Sequence, residues 1–302
     1  MIVVKLIGGL GNQMFQYAYG LRLAEQYKEP VCFDTSYYPK GSEPALCKLN
    51  VPQLPLWQNA GICFWTRGRI RLTQSWFRAT QKLIRILGKT DRTGDRLYMR
   101  LAKRGLLFNF DPYYYEIPRT KAKNKYVYGY FQGEAYFPED KSRLQADFAV
   151  KRELGQQARD YMEQICKENA VALHIRLGDY KEKKNMDLDV CSVDYYQQAL
   201  EQIRLAQPDQ KLFVFTNEPD KIGDLLELPE GTVMIRGTKD YEDFALMQKC
   251  KHFVLSNSTF SWWAAYLAEN PDKQILVPEK WRHSQKDAPA IYLENMEKIP
   301  IR

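Results

Sequence analysis

Ala170-Val171-Ala172-Leu173-His174-Ile175-Arg176-Leu177-Gly178-Asp179-Tyr180 runs from an unbroken apolar stretch into a histidine, an arginine and a carboxylate. An apolar run of this length reads as a strand buried on both faces, the kind found inside a parallel sheet. Its polar end delivers Arg176 and Asp179 to one loop. In open α/β sheets ligands settle beyond the carboxyl ends of the strands, where a planar guanidinium grips phosphate with two parallel donors. His174 alternates with Arg176, so both side chains should share a face.

Working outward, the same grammar repeats through the second half. Strands are expected at Leu212 to Phe215, Thr232 to Ile235, Phe253 to Leu255 and Gln274 to Val277. Helices are expected at Asp194 to Ala206, Pro219 to Leu226, Tyr241 to Lys249 and Phe260 to Ala268. Short apolar strands separated by helices imply right-handed crossovers and a doubly wound parallel sheet, a Rossmann-like domain over residues 151–302. The first half opens the same way, with strand Ile2 to Ile7, a glycine turn, a helix from about Asn12 to Tyr27, and strand Val31 to Asp34. Then the alternation fails. Trp65 to Leu106 reads as helical, with Ile70, Trp76, Phe77, Leu83, Ile84 and Leu87 forming an uneven apolar face beneath arginines. Tyr126 to Phe131 returns to strand, and Gln145 to Glu168 reads as helix. Residues 1–150 therefore form a second α/β domain with a basic helical insertion, and two close-packed domains of this kind would face each other across a cleft.

Composition bounds the function. The 302 residues suit two domains, and no apolar stretch reaches the roughly 18 residues that a membrane-spanning helix needs. Met1 to Ile7 is too short and too soon followed by glycines for a signal peptide, so a cytoplasmic protein is expected. Six scattered cysteines without a C-x-x-C pair should be reduced and mostly interior. Three unpaired histidines offer no transition-metal site. The net charge of +7 is uneven, because residues 67–104 hold 12 Lys/Arg against Asp91 and Asp95, a local +10. That argues against a whole-surface nucleic-acid reader and for one basic face.

Four strand-end patches carry candidate chemistry. Gly8-Gly9-Leu10-Gly11-Asn12-Gln13 joins a strand to a helix, and its glycines and unpaired amides suit an anion, with Gly9, Gly11, Asn12 and Gln13 as anion-binding candidates. Met14 stands where the dinucleotide fingerprint would need glycine. Arg176 could hold a diphosphate, with Asp179 orienting it or accepting a proton and His174 beside it; a satisfied core histidine is the plain alternative for His174. Ser256-Asn257-Ser258-Thr259-Phe260-Ser261 concentrates hydroxyls and an amide at a helix start, more than capping requires, so Asn257, Ser258, Thr259 and Ser261 are read as binding a ligand phosphate. Trp262 and Trp263 read as core. Asn217 and Glu218 could meet a base edge, or simply cap the helix that Pro219 begins. Asp187-Leu188-Asp189 invites a metal, yet such triplets are common by chance.

Together these patches resemble the alpha-1,2-fucosyltransferase family. The resemblance rests on Gly8 to Tyr17, on the H-x-R-x-G-D of His174, Arg176, Gly178 and Asp179, on Cys250 to Trp263, and on Tyr130-Phe131-Gln132-Gly133-Glu134-Ala135-Tyr136-Phe137. It implies a two-domain GT-B fold, GDP-L-fucose as donor bound mainly by the second domain, a terminal galactoside as acceptor, inversion, and no metal or other cofactor. It also places Gln132 and Glu134 on the acceptor side. Where the family has two consecutive arginines, this chain has Arg176 and Leu177, and the Asn217-Glu218 patch replaces a commoner acidic pair. Asp179, His174 and Glu134 are the candidates for the base that deprotonates the acceptor hydroxyl. A GT-B enzyme using another nucleotide sugar or making another linkage, and a non-catalytic glycan- or nucleotide-binding protein, are the competing readings. The basic segment 65–106 reads either as an amphipathic helix lying peripherally on the inner membrane face, near a lipid-linked galactose-terminated glycan, or as a solvated insertion shaping the acceptor cleft.

Overall fold

The computed structural model describes residues 1–39, 41–51, 56–57, 67–88, 94–137, 141–177, 183–286 and 289–301. The chain divides into two compact units. The first comprises Met1–Cys47, Val51–Lys141 and Lys286–Tyr292; the second comprises Lys48–Asn50, Ser142–Gln285 and Leu293–Arg302.

In the first unit, β1 (Ile2–Lys5), α1 (Leu10–Tyr27), β2 (Val31–Asp34) and β3 (Leu56–Trp57) precede α2 (Arg67–Gly88), α3 (Asp95–Lys103), β4 (Leu106–Asn109) and β5 (Lys125–Gly129). All pairings are parallel, in the order β3-β2-β1-β5-β4. The chain winds outward from β1 to β3 and then supplies β5 to the other edge of β1, so the winding reverses between β1 and β5. The expected single helical stretch to Leu106 is corrected. It is two helices, and Leu106 begins β4, because Gly105 at φ +79° turns the chain where a Cβ would lie 2.2 Å from the Asn124 carbonyl oxygen.

In the second unit, α4 (Lys141–Asp147) and α5 (Gln156–Lys167) replace the one helix expected from Gln145 to Glu168. The order then runs β6 (Asn169–Ile175), α6 (Val193–Ala206), β7 (Gln210–Thr216), α7 (Ile222–Leu225), β8 (Val233–Met234), α8 (Asp240–Lys249), β9 (His252–Val254), α9 (Thr259–Leu267), β10 (Ile275–Pro278) and β11 (Met296–Ile299). The sheet is parallel, ordered β11-β10-β9-β6-β7-β8. From Ala170 to Ile175, β6 is buried on both faces and pairs with β7 over seven residues, as its apolar run dictates. The core beneath it gathers Val171, Leu173, Ile175, Tyr195, Leu200 and Val214, while Trp262 and Trp263 are fully buried on α9. Two parallel-sheet α/β units in one chain make the GT-B-like composition that the motif resemblance implies. The expectation of interior cysteines is corrected: of the described ones Cys250 is buried, Cys32, Cys47 and Cys191 are half-buried and Cys166 is exposed, with Cys63 outside the described residues.

Candidate active site

Winding in the second sheet reverses between β6 and β9, and that is where its polar strand ends converge. Such a switch point leaves a crevice in which opposite-going connections part, the standard ligand position in open α/β sheets. Arg176 directly follows β6, and the backbone N–H of Ser256 donates to the His174 carbonyl at 3.1 Å, extending the β6–β9 pairing toward α9. Ser258 is the N-cap of α9 in extended conformation, but its side chain makes no capping bond, so the first-turn amides of Thr259, Phe260 and Ser261 are left without that partner. Ser261 is fully buried and its Oγ donates to the Ser258 carbonyl at 3.3 Å. One half-buried guanidinium and an uncapped helix start thus stand on either side of the reversal, a pairing of fixed charge and oriented dipoles that suits an anion.

His174 does lie near Arg176, but it is only 5% exposed and its Nδ1 is bonded to Ser256 Oγ at 2.9 Å. Burial, with the Arg176 charge as a lesser cause, holds its pKa down at about 3. A neutral, enclosed imidazole with so little proton affinity is a poor base, and the structure corrects its candidacy for that role. It orients Ser256 instead. Asp179 lies outside the described residues.

Two asparagines read as ligand-binding are spent on the backbone. Asn217 meets Leu177 twice: its Oδ1 accepts from the Leu177 N–H and its Nδ2 donates to the Leu177 carbonyl, both at 3.1 Å. That amide copies a strand partner and splints the chain just beyond β6. The Leu177 side chain is buried in the core, so the position that departs from the family's second arginine is an apolar anchor. Asn257, 3% exposed, donates through Nδ2 to the carbonyls of Leu188 at 2.8 Å and Trp281 at 2.9 Å. It ties together two segments that follow β6 and β10. Glu218 is in an ion pair with Lys221 at 2.5 Å, and its N–H is held by Thr216 Oγ1 at 3.2 Å.

The Asp187-Leu188-Asp189 triplet belongs to the same latch. Asp187 accepts from the Ser284 N–H at 2.7 Å and the Ser284 hydroxyl at 2.8 Å, and His283 Nε2 contacts the Asp189 carbonyl at 2.8 Å. Among the described residues no group of three His, Cys, Asp or Glu is placed to hold a metal ion.

In the first unit the Gly8-Gly9 turn and the first helical turn of α1 to Gln13 follow β1 at the other winding reversal. Gly8 takes φ +78°, and a Cβ there would lie 2.6 Å from Asn12 Nδ2. Gly9 caps α1 with no side chain and is exposed, leaving its neighbourhood open to a ligand, while Gly11 is buried. Gln13 is buried and wholly internal: Nε2 donates to the Gly8 carbonyl at 3.1 Å and Oε1 accepts from the Leu46 N–H at 2.9 Å. Gln16 spans Ile7 and Gly129 in the same manner, and the Tyr38 hydroxyl adds a 2.7 Å bond to Gly8. Sequence reasoning missed Gln16, Tyr38 and Ser284, because a glutamine inside a helix or a serine in a loop carries no local sign that it will meet a distant backbone. Gln132 Nε2 donates to Asn12 Oδ1 at 2.8 Å, joining an acceptor-side candidate to a donor-side one across the β1/β5 reversal. Glu134 is exposed in a short 3-10 turn after Gly133.

Comparison with known proteins agrees with this arrangement. The model of glycosyl transferase family 11 matches residues 111–299, which include every strand-end patch of the second unit. The O-antigen biosynthesis glycosyltransferase WbnK of Escherichia coli is 30% identical over 295 residues, covering 91% of this chain and 93% of that one. An alpha-1,2-colitosyltransferase of Escherichia coli is 25% identical over 293 residues, covering 93% and 92%. Galactoside alpha-(1,2)-fucosyltransferase 1 of Plecturocebus brunneus is 26% identical over 147 residues, covering 44% and 40%. With a family model over more than half its length and a relative aligned almost end to end, this chain belongs to glycosyl transferase family 11.

Proposed function

We propose that this glycosyltransferase moves L-fucose from GDP-L-fucose to the 2-hydroxyl of a terminal galactoside, with inversion, during assembly of a surface polysaccharide. The observation that carries the reading is that Arg176 follows β6 and the uncapped start of α9 follows its neighbour β9, on the two sides of the winding reversal of the second sheet. In the reaction the acceptor oxygen attacks the anomeric carbon while the bond to the diphosphate breaks. GDP leaves with both electrons of that bond, and the acceptor proton passes to a base. Arg176 and the α9 amides oppose the charge that grows on the leaving diphosphate, a contribution of about 3 kcal/mol for each donor of this kind. This reading assigns that work to protein groups without a metal ion, as the motif resemblance implies. With His174 withdrawn, Asp179 and Glu134 are the carboxylates for the proton. The relatives' names support the acceptor and the setting: one acts in O-antigen biosynthesis and one on galactosides.

Incubation with GDP-fucose and galactose-terminated acceptors, followed by linkage analysis of the product, tests the proposal; a linkage other than α-1,2 would overturn it. Arg176→Ala is expected to lower turnover at least about a hundredfold with the fold retained. Near-normal turnover by a folded variant would remove Arg176 from the mechanism. A second reading, a different GDP-sugar on the same scaffold, is favoured by the end-to-end match to a colitosyltransferase and by Leu177 in place of a second arginine. Release of GDP across a panel of GDP-sugars separates the two.

A further inference from the structure

Helix α2 carries apolar residues on two sides. One side is buried, with Phe77 fully covered and its ring 5.2 Å from that of Phe108 and 6.0 Å from that of Tyr98. The other is open to solvent: Leu72, Trp76, Leu83, Ile86 and Leu87 are 72%, 51%, 55%, 61% and 74% exposed. At roughly 3.6 residues per turn these five fall within an arc of about 100°, roughly a third of a turn from Phe77. Lys82 stands exposed along one edge of the stripe, while Arg78, one turn before it, donates inward to the Tyr128 hydroxyl at 2.6 Å. On α3, the exposed residues Arg96, Met99, Arg100 and Lys103 recur at the spacing of one helix face. The expectation of an apolar face lying beneath the arginines is therefore corrected: much of it faces outward, and it forms a contiguous stripe of the kind that marks a contact surface.

We propose that the exposed faces of α2 and α3 rest on an anionic phospholipid bilayer, with the apolar stripe entering the boundary between headgroups and acyl chains and the cations meeting lipid phosphates. Charge selects this occupant. Residues 67–104 carry +10 within a chain of +7, so the remaining sequence carries −3. A second copy docking through the same face would set like charge against like, whereas an anionic bilayer complements the stripe and its cationic border together. Trp76 within the stripe suits the interface, where an amphipathic ring sits at headgroup level. No helix among the described residues is long and apolar enough to cross a membrane, so the contact is one of lying on the surface. The proposal does not depend on which sugar is transferred.

The test is cosedimentation of the full chain with vesicles of phosphatidylcholine alone and of phosphatidylcholine mixed with phosphatidylglycerol, at low and high salt. Binding is expected with phosphatidylglycerol at low salt and should fall severalfold as salt screens the cations. The double variant Leu83→Ser/Leu87→Ser should lose roughly tenfold in bound fraction while melting where the parent melts, because both positions are solvent-exposed. Should that variant melt lower, Lys82→Glu/Arg100→Glu makes the same measurement through charge. Absence of binding to anionic vesicles at low salt, equal binding to neutral vesicles, or binding unchanged by both variants would overturn the proposal. So would a concentration-dependent dimer, seen by size exclusion, that Leu83→Ser/Leu87→Ser dissolves while the parent leaves vesicles untouched.

Discussion

Replacing Asn257 separates two roles that its position at a strand end allows. As a ligand contact alone it would matter only with donor bound. As a latch it holds the free protein together, and its cost can be worked from the structure. Asn257→Ala removes two hydrogen bonds to backbone, at 2.8 Å to Leu188 and 2.9 Å to Trp281, the second fully buried, and the acceptor of a weak 3.6 Å bond from Cys191 Sγ. Each such backbone bond contributes about 1 kcal/mol net, and stranding a buried carbonyl costs about 1–3 kcal/mol more, so a loss of about 3–5 kcal/mol is expected. For a cooperative unit of about 150 residues each kcal/mol moves Tm by about 2–4 °C, which puts the drop at about 6–20 °C. Asn257→Asp keeps the shape but turns a carboxylate toward two carbonyl oxygens. Its folded-state pKa should rise above the unfolded value, so the variant is most stable below the unfolded pKa and loses stability as pH climbs through the folded one. Melting of the ligand-free protein, parent and both variants, across pH 5 to 8 is the assay. If Asn257→Ala melts within about 1 °C of the parent, the latch reasoning is wrong.

Three further outcomes follow from the geometry. The His174 pKa of about 3 lies below that of an unfolded histidine, so the stability from this neutral ring is complete above about pH 6.5 and is lost as pH falls toward 3; His174→Gln should flatten that acid limb of the melting curve, and an unchanged limb would contradict it. Asp243 behaves in the opposite sense, because burial raises its pKa to about 6 and its folded form loses stability as pH rises from about 4 through 6. Asp243→Asn, which can still accept from the Thr238 hydroxyl, should gain about 1–3 kcal/mol at pH 7 by chemical denaturation, with no gain near pH 4. Gly8→Ala, at φ +78° and with Asn12 in the way, should cost about 1 kcal/mol or more and raise KM for the donor; wild-type values in both measurements would show that the loop tolerates a side chain.

The second unit was legible where pattern and burial coincide. Helix Asp194 to Ala206 appears as Val193–Ala206, and the apolar heart of β6 sits where its run of small and branched residues put it. β11 escaped because Met296-Glu297-Lys298-Ile299 buries only its two ends, and its strand character comes from pairing with β10. β4 escaped because its apolar residues continue a helical pattern, and the turn that breaks it is forced by Asn124, 19 positions downstream of Gly105. The site was legible as a set of strand ends and illegible as a division of labour. A polar residue beyond a strand can serve a ligand or the chain itself, and sequence records the residue type without its direction. Arg176 and the start of α9 keep the ligand reading, whereas Asn217, Asn257 and Gln13 turned out to be bonded to backbone.

The glutamine stitching around β1 bears on the calorimetry of the donor binding proposed above. Gln13 and Gln16 fix the turn between β1 and α1 through bonds to Gly8, Leu46, Ile7 and Gly129, so the conformational entropy of that turn is surrendered when the protein folds. A ligand meeting it would encounter a preorganised surface. The amide hydrogens of Ile7 and Leu46, each held by a glutamine carbonyl, should accordingly exchange slowly with solvent before any nucleotide arrives and no more slowly after it.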